Sequence, residues 1–184
     1  MESTKRTKHT TNTLFHQVFG IVALKNLIGD FIGEVQVWKV EEISPVFTKI
    51  SIWGGECDLL KLEDFLRFNK NLTSINLRSN QLESDGANHI ANALKENSTL
   101  RSINLYFNEL GSVGASHIAD ALKENSTLTS INLDSNEIYL AAAGNILNAL
   151  KFNSTLNSIS LMGLEDRDLA KTWFEEIKHI DIKI

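Results

Sequence analysis

From Leu72 onward, apolar residues recur on a fixed grid. The pattern L-x-x-I-x-L starts at Leu72, Leu100, Leu128 and Leu156, each 28 residues after the last. Within it, "LTSINL" alternates at Ile75 and Leu77, the period of a strand with one face buried. A turn-rich connection, "RSNQLESDGA", follows. Then "NHIANALKEN" sets Ile90, Ala91, Ala93 and Leu94 at helical spacing. The segments Leu72–Thr99 and Leu100–Thr127 share 20 of 28 residues, so the chain writes one strand-and-helix unit repeatedly. "FTKISI" from Phe47 is a diverged earlier unit, and "IKHIDI" from Ile177 carries the same apolar spacing after a shortened one. One such unit has too little core to stand alone, so the units must stack.

The pattern predicts parallel strands near 49–52, 74–77, 102–105, 130–133, 158–161 and 178–182, joined by helices in a right-handed α/β solenoid. Ser84 and Ser112 are the expected N-caps. Asn97, Asn125 and Asn153 fall where a helix would close on a left-handed residue. Four N-x-[ST] sequons, at Asn71, Asn97, Asn125 and Asn153, recur at this corner and are read as caps rather than glycosylation sites.

The unit L-x-x-I-x-L-x-x-N-x-[LI], with the helix "GAxxIAxALKxN", resembles the leucine-rich repeat. Its length and helix are similar to the ribonuclease-inhibitor-like subclass, which is also found in NOD-like receptors and Ran GTPase activators. The resemblance covers about residues 47–184. It implies a short horseshoe arc with strands on the concave side, helices on the convex side and a cap at each end. The family asparagines match Asn80, Asn108 and Asn136, whose implied role is structural: side-chain hydrogen bonds to the backbone where the chain leaves the strand. Residues 1–13 are expected to be a disordered tail and 14–46 an N-terminal helical cap, with a strand where Val35 and Val37 alternate; 47–184 form the repeat domain.

Comparing the units with one another separates what packing needs from what varies. The column after the buried leucine varies most: Trp53, Arg78, Tyr106, Asp134, Met162 and Lys183. Alternation points it onto the concave face, beside a polar ladder of Ser51, Asn76, Asn104, Asn132, Ser160 and Asp181. Phe107 stands next to Tyr106. Aromatic residues, Met and Arg are enriched at interface hot spots. The expected partner-binding residues are therefore Trp53, Arg78, Tyr106, Phe107, Asp134 and Met162, with Asn76, Asn104 and Asn132.

Composition adds exclusions. The net charge of −5 carries no basic field for nucleic acid. No run of residues is apolar enough to span a bilayer, since Leu14–Gly33 is broken by polar residues. The single Cys57 rules out an internal disulfide framework, and a reducing, cytoplasmic setting is expected. His89 and His117 occupy equivalent helix positions without a carboxylate or Cys ligand in the pattern, so no metal is expected. No catalytic constellation, cofactor motif or small-molecule site emerges. The expected function is a non-enzymatic module that binds a protein or peptide. The alternatives are a scaffold subunit of a larger assembly and a regulator of a GTPase of the Ran-activator kind.

Overall fold

The structure, a computed structural model, describes residues 36–41, 49–53, 59–164 and 167–184, with side chains over the last two ranges. Seven strands form one sheet in chain order: β1 (Gln36–Glu41), β2 (Lys49–Trp53), β3 (Ser74–Asn76), β4 (Ser102–Asn104), β5 (Ser130–Asn132), β6 (Ser158–Ser160) and β7 (Asp181–Lys183). Between them run α1 (Leu59–Phe68), α2 (Glu83–Glu96), α3 (Gly111–Glu124), α4 (Leu140–Phe152) and α5 (Arg167–Phe174). Strands β2 to β7 pair in parallel, and β1 adds an antiparallel edge. The strand expected near Val35 and Val37 appears as β1. The expected tail and the rest of the N-terminal cap lie outside the described residues.

The fold is a leucine-rich-repeat solenoid, and its register follows the sequence grid. Ile75 pairs with Ile103, Ile103 with Ile131 and Ile131 with Ile159. These isoleucines are fully buried, and the helices cover them with Ile90, Ile118, Ile146, Leu94, Leu122 and Leu150. Small residues let the helices close up. A Cβ on Gly114 would come within 2.9 Å of the Ala87 Cβ and 3.3 Å of the Ser84 Cα, so only glycine admits this spacing between α2 and α3.

The last unit departs from the grid. Ile182, not Ile180, pairs with Ile159, so β7 begins two residues later than the L-x-x-I-x-L frame implies. Ile177 and Ile180 instead stay buried in the turn after α5. In consequence Lys183, rather than Asp181, extends the column that contains Asn132 and Ser160.

The helix ends also differ from expectation. Ser84 and Ser112 lie inside the first turns, and no side chain caps α2 or α3. The backbone does the work: the Glu83 N–H donates to the Asn108 carbonyl and the Gly111 N–H to the Asn136 carbonyl, both at 2.9 Å. To reach these acceptors the chain passes through positive φ at Glu83 (53°) and Gly111 (61°). At the other end, Asn97, Asn125 and Asn153 are extended, with φ between −72° and −83°, not left-handed. Each uses its side chain to turn the corner. Asn97 Oδ1 accepts from the N–H groups of Thr99 (2.9 Å) and Leu100 (2.7 Å), and its Nδ2 reaches back 2.5 Å to the Leu66 carbonyl. Asn125 repeats this toward Leu94, and Asn153 toward Leu122. These three side chains are buried and their amide nitrogens occupied, so the sequons there serve packing. In the first described helix, Asn69 takes this place, with its Oδ1 on Asn71 and Leu72, while Asn71 is exposed.

A second asparagine column joins the strand exits. Asn108 Oδ1 accepts from the Asn80 N–H at 2.8 Å, and Asn136 Oδ1 from the Asn108 N–H at 2.9 Å. Asn108 Nδ2 donates to the carbonyls of Leu77 (2.8 Å), Leu105 (3.0 Å) and Tyr106 (3.3 Å), and Asn136 Nδ2 repeats the set one unit on. Asn108 is completely buried, so its loss strands groups that water cannot reach. Asn108→Ala is expected to lower stability by about 1–3 kcal/mol. Asn108→Asp should be at least as harmful, because it turns a carboxylate oxygen toward three carbonyls. Thermal melts of both variants check this; an unchanged midpoint would show that the column is dispensable.

Candidate protein-binding face

The sheet face opposite the helices carries the variable columns. Arg78 and Tyr106 stand on adjacent strand exits, with the guanidinium 5.2 Å from the Tyr106 ring centroid, a cation–π contact. The rings of Tyr106 and Phe107 lie 6.1 Å apart and tilted by 31°. Thus three of the residues singled out by their variability form one cluster: Arg78 exposed, Tyr106 half-buried and Phe107 53% exposed.

Phe107 occupies an unusual backbone site. Its slot is left-handed in every described unit: Ser79 has φ 57°, Phe107 53°, Ser135 55° and Gly163 103°. The fold sets this conformation, since the N–H groups of Ser79, Phe107 and Ser135 each bond to the next unit's carbonyl at 2.9–3.1 Å. Serine and glycine suit it. For a bulky aromatic residue, positive φ is sterically unfavourable by about 1 kcal/mol, and here half the side chain faces solvent. Other large apolar groups are exposed, notably Phe152 and Phe68 at helix ends. None of those combines a strained backbone with an aromatic and a cationic neighbour.

Asp134 does not stand beside Tyr106 as an exposed counter-charge. It is 4% exposed, and its Oδ1 accepts from the Met162 N–H at 2.7 Å. The reason lies in the ladder beside it. Asn76, Asn104 and Asn132 each accept, through Oδ1, from the N–H two residues on: Arg78 at 3.1 Å, Tyr106 at 2.9 Å and Asp134 at 2.8 Å. In the fourth unit Ser160 fills the asparagine slot and makes no such bond, so the Met162 N–H needs another acceptor. Asp134 supplies it from the neighbouring strand. The serine in an asparagine column was the signal in the sequence; the cross-strand reach was not readable there.

Two further expected residues are Met162 and Trp53. Met162 is half exposed and lines a cavity of about 610 Å³ with Phe174, Ile180 and Ile182 at the C-terminal end of the sheet. Trp53 ends β2, and its side chain lies outside the described residues. On the helix side, His89 Nδ1 sits 2.6 Å from Glu63 Oε2, and the other carboxylate oxygen, Oε1, pairs with Arg67 at 2.6 Å. The Lys-Glu helix ends link units, as Lys95 meets Glu124 at 3.3 Å. Lys123 bonds Asp120 and holds that carboxyl below its usual range. Such exposed pairs contribute about 0–1 kcal/mol each.

With this geometry in place, comparison with known proteins adds the following. The family described as Leucine Rich repeat matches residues 68–91 and 96–119. No curated protein matches the chain. Among solved structures, the chain is similar to leiomodin-1 actin-binding site 2, at 26% identity and a TM-score of 0.58, covering 65% of this chain and 69% of that one. It is also similar to the C-terminal domain of tropomodulin from Caenorhabditis elegans, at 12% identity and a TM-score of 0.60, covering 69% and 82%. The second likeness is one of fold. Together these findings show leucine-rich repeats.

Two outcomes follow from the local geometry. Asp134→Ala should cost about 1–3 kcal/mol, and adding Ser160→Asn should restore most of it by giving the Met162 N–H its acceptor back. Denaturant unfolding of the single and double variants checks the pair; no rescue would mean that Asp134 stabilises by another route. Phe107→Gly should unfold at a midpoint no lower than the parent chain, since it removes the strain and no buried contact. A loss above about 1 kcal/mol would show that the ring packs as core.

Proposed function

We propose that this chain is a non-enzymatic module that holds a partner protein against the concave face of its repeat arc, around Arg78, Tyr106 and Phe107. The observation that carries the reading is the exposed Phe107 on a left-handed backbone, in a slot that neighbouring units fill with Ser79, Ser135 and Gly163. Packing does not call for an aromatic residue there, and the backbone disfavours one. A large, partly exposed aromatic pair beside an arginine is the composition of an interface hot spot. The 28-residue unit also supports placing these repeats with the ribonuclease-inhibitor-like subclass.

The likeness to leiomodin-1 actin-binding site 2 makes actin the first protein to test. The chain is mixed with actin and with a cell extract, and retention is compared between the parent, Tyr106→Ala, Phe107→Ser and, as a control on the helix side, His117→Ala. The face variants should keep their melting temperature and lose about 2 kcal/mol or more in affinity for whichever protein is retained. If His117→Ala weakens binding and the face variants do not, the concave reading is wrong.

A further inference from the structure

Asn76, Asn104 and Asn132 lie in direct register on adjacent strands. Each spends its Oδ1 on the backbone N–H two residues on. A backbone N–H requires an oxygen there, so the orientation of each amide is settled: the oxygen turns back to the chain and the NH2 group is left over. Among the described residues these three amide nitrogens donate to no protein acceptor, and none of them is buried out of reach of solvent. Strands in a sheet lie about 4.8 Å apart, so the three form a row of N–H donors across the face.

The neighbouring groups reinforce this polarity. Arg78, beside the row, brings a guanidinium that can only donate. At the far end Lys183 pairs with Ser160 and continues the row with an ammonium group. Of the carboxylates on these strands, Asp134 is buried and its Oδ1 is committed to Met162. Asp181 is exposed on β7, one slot below Lys183, and Glu109 and Glu137 are exposed in the turns beyond. The middle of the face therefore offers a row of donors, with the one carboxylate among them, Asp134, turned in against the Met162 N–H, on a chain whose net charge is −5.

We infer that the face is built for an acidic segment of the partner protein, whose carboxylates accept hydrogen bonds from the Asn76–Asn104–Asn132 row and from Arg78 while an apolar side chain meets Tyr106 and Phe107. The inference rests on the concave-face reading and specifies the chemistry of its partner. Carboxylate acceptors make the stronger, charge-assisted bonds to such a row.

The test uses a random peptide library displayed on phage, selected on the full chain and counter-selected on Phe107→Ser. Peptides retained by the parent and lost on Phe107→Ser are the face binders. They should be rich in Asp and Glu. As synthetic peptides they should bind Asn104→Asp about tenfold more weakly in fluorescence anisotropy, and bind the parent more weakly as salt rises. Asn104→Asp keeps the oxygen that the Tyr106 N–H needs and replaces only the donor, so its melting temperature should match the parent's. Should it fold poorly, Asn76→Asp, which makes the same exchange one strand away and keeps the oxygen that the Arg78 N–H needs, carries the comparison and should weaken binding several-fold. Face binders rich in Lys and Arg, or binding Asn104→Asp more tightly, overturn the inference and leave the face reading intact. A selection that returns no Phe107-dependent peptide overturns the face reading and this inference with it.

Discussion

The structure depends on one constraint: a three-residue strand cannot satisfy the backbone on either side of it, so each unit borrows acceptors and donors from the next. Asparagine is the side chain that makes the loan possible. It has an acceptor and a donor on a short stem, and both ends of the amide are in use at Asn108 and at Asn97. Aspartate has no donor, and glutamine would displace both groups by a methylene. Because Asn80 meets Asn108 and Asn108 meets Asn136, the unit length cannot drift without parting a buried pair. The isoleucine and leucine core supplies the driving force for stacking; the asparagine columns set where each unit stops.

Once the joints are fixed, differences between units fall into two kinds. Some are internal repairs. Ser160 leaves a backbone donor open, and Asp134 closes it from one strand away. Others answer nothing inside the protein. Phe107 packs no core position, and it holds a backbone conformation that its serine and glycine counterparts adopt more easily. Variability alone does not separate the two, since Asp134 and Tyr106 stand in the same column. Burial and hydrogen bonding do.

Much of the architecture was legible because the chain repeats. The period, the inward isoleucines and the parallel register follow from the grid at Leu72, Leu100, Leu128 and Leu156. What failed to read was local. Ser84 and Ser112 looked like caps because their residue type is right, yet backbone bonds to the next unit make a side-chain cap unnecessary. The corner asparagines looked like left-handed stops, but they are extended residues whose amides do the turning. The frame of β7 slipped by two because Ile177 and Ile180 find burial in a turn as readily as in a strand. At the variable column, the inward turn of Asp134 depended on a partner 28 residues away in sequence.

The corner and exit asparagines make the joints between units interchangeable. With residues 100–127 excised, Asn80 would meet Asn136 as it now meets Asn108, and Asn97 would stand one step before Asn153 as it now does before Asn125. Each hydrogen bond that these asparagines make across the seam has an equivalent waiting beyond the cut. A gene that encodes such a protein can lengthen or shorten by whole units through unequal recombination, and each product inherits intact seams. The near-identity of the two central units is what recent copying of that kind would leave behind, with the open face as the part free to diverge.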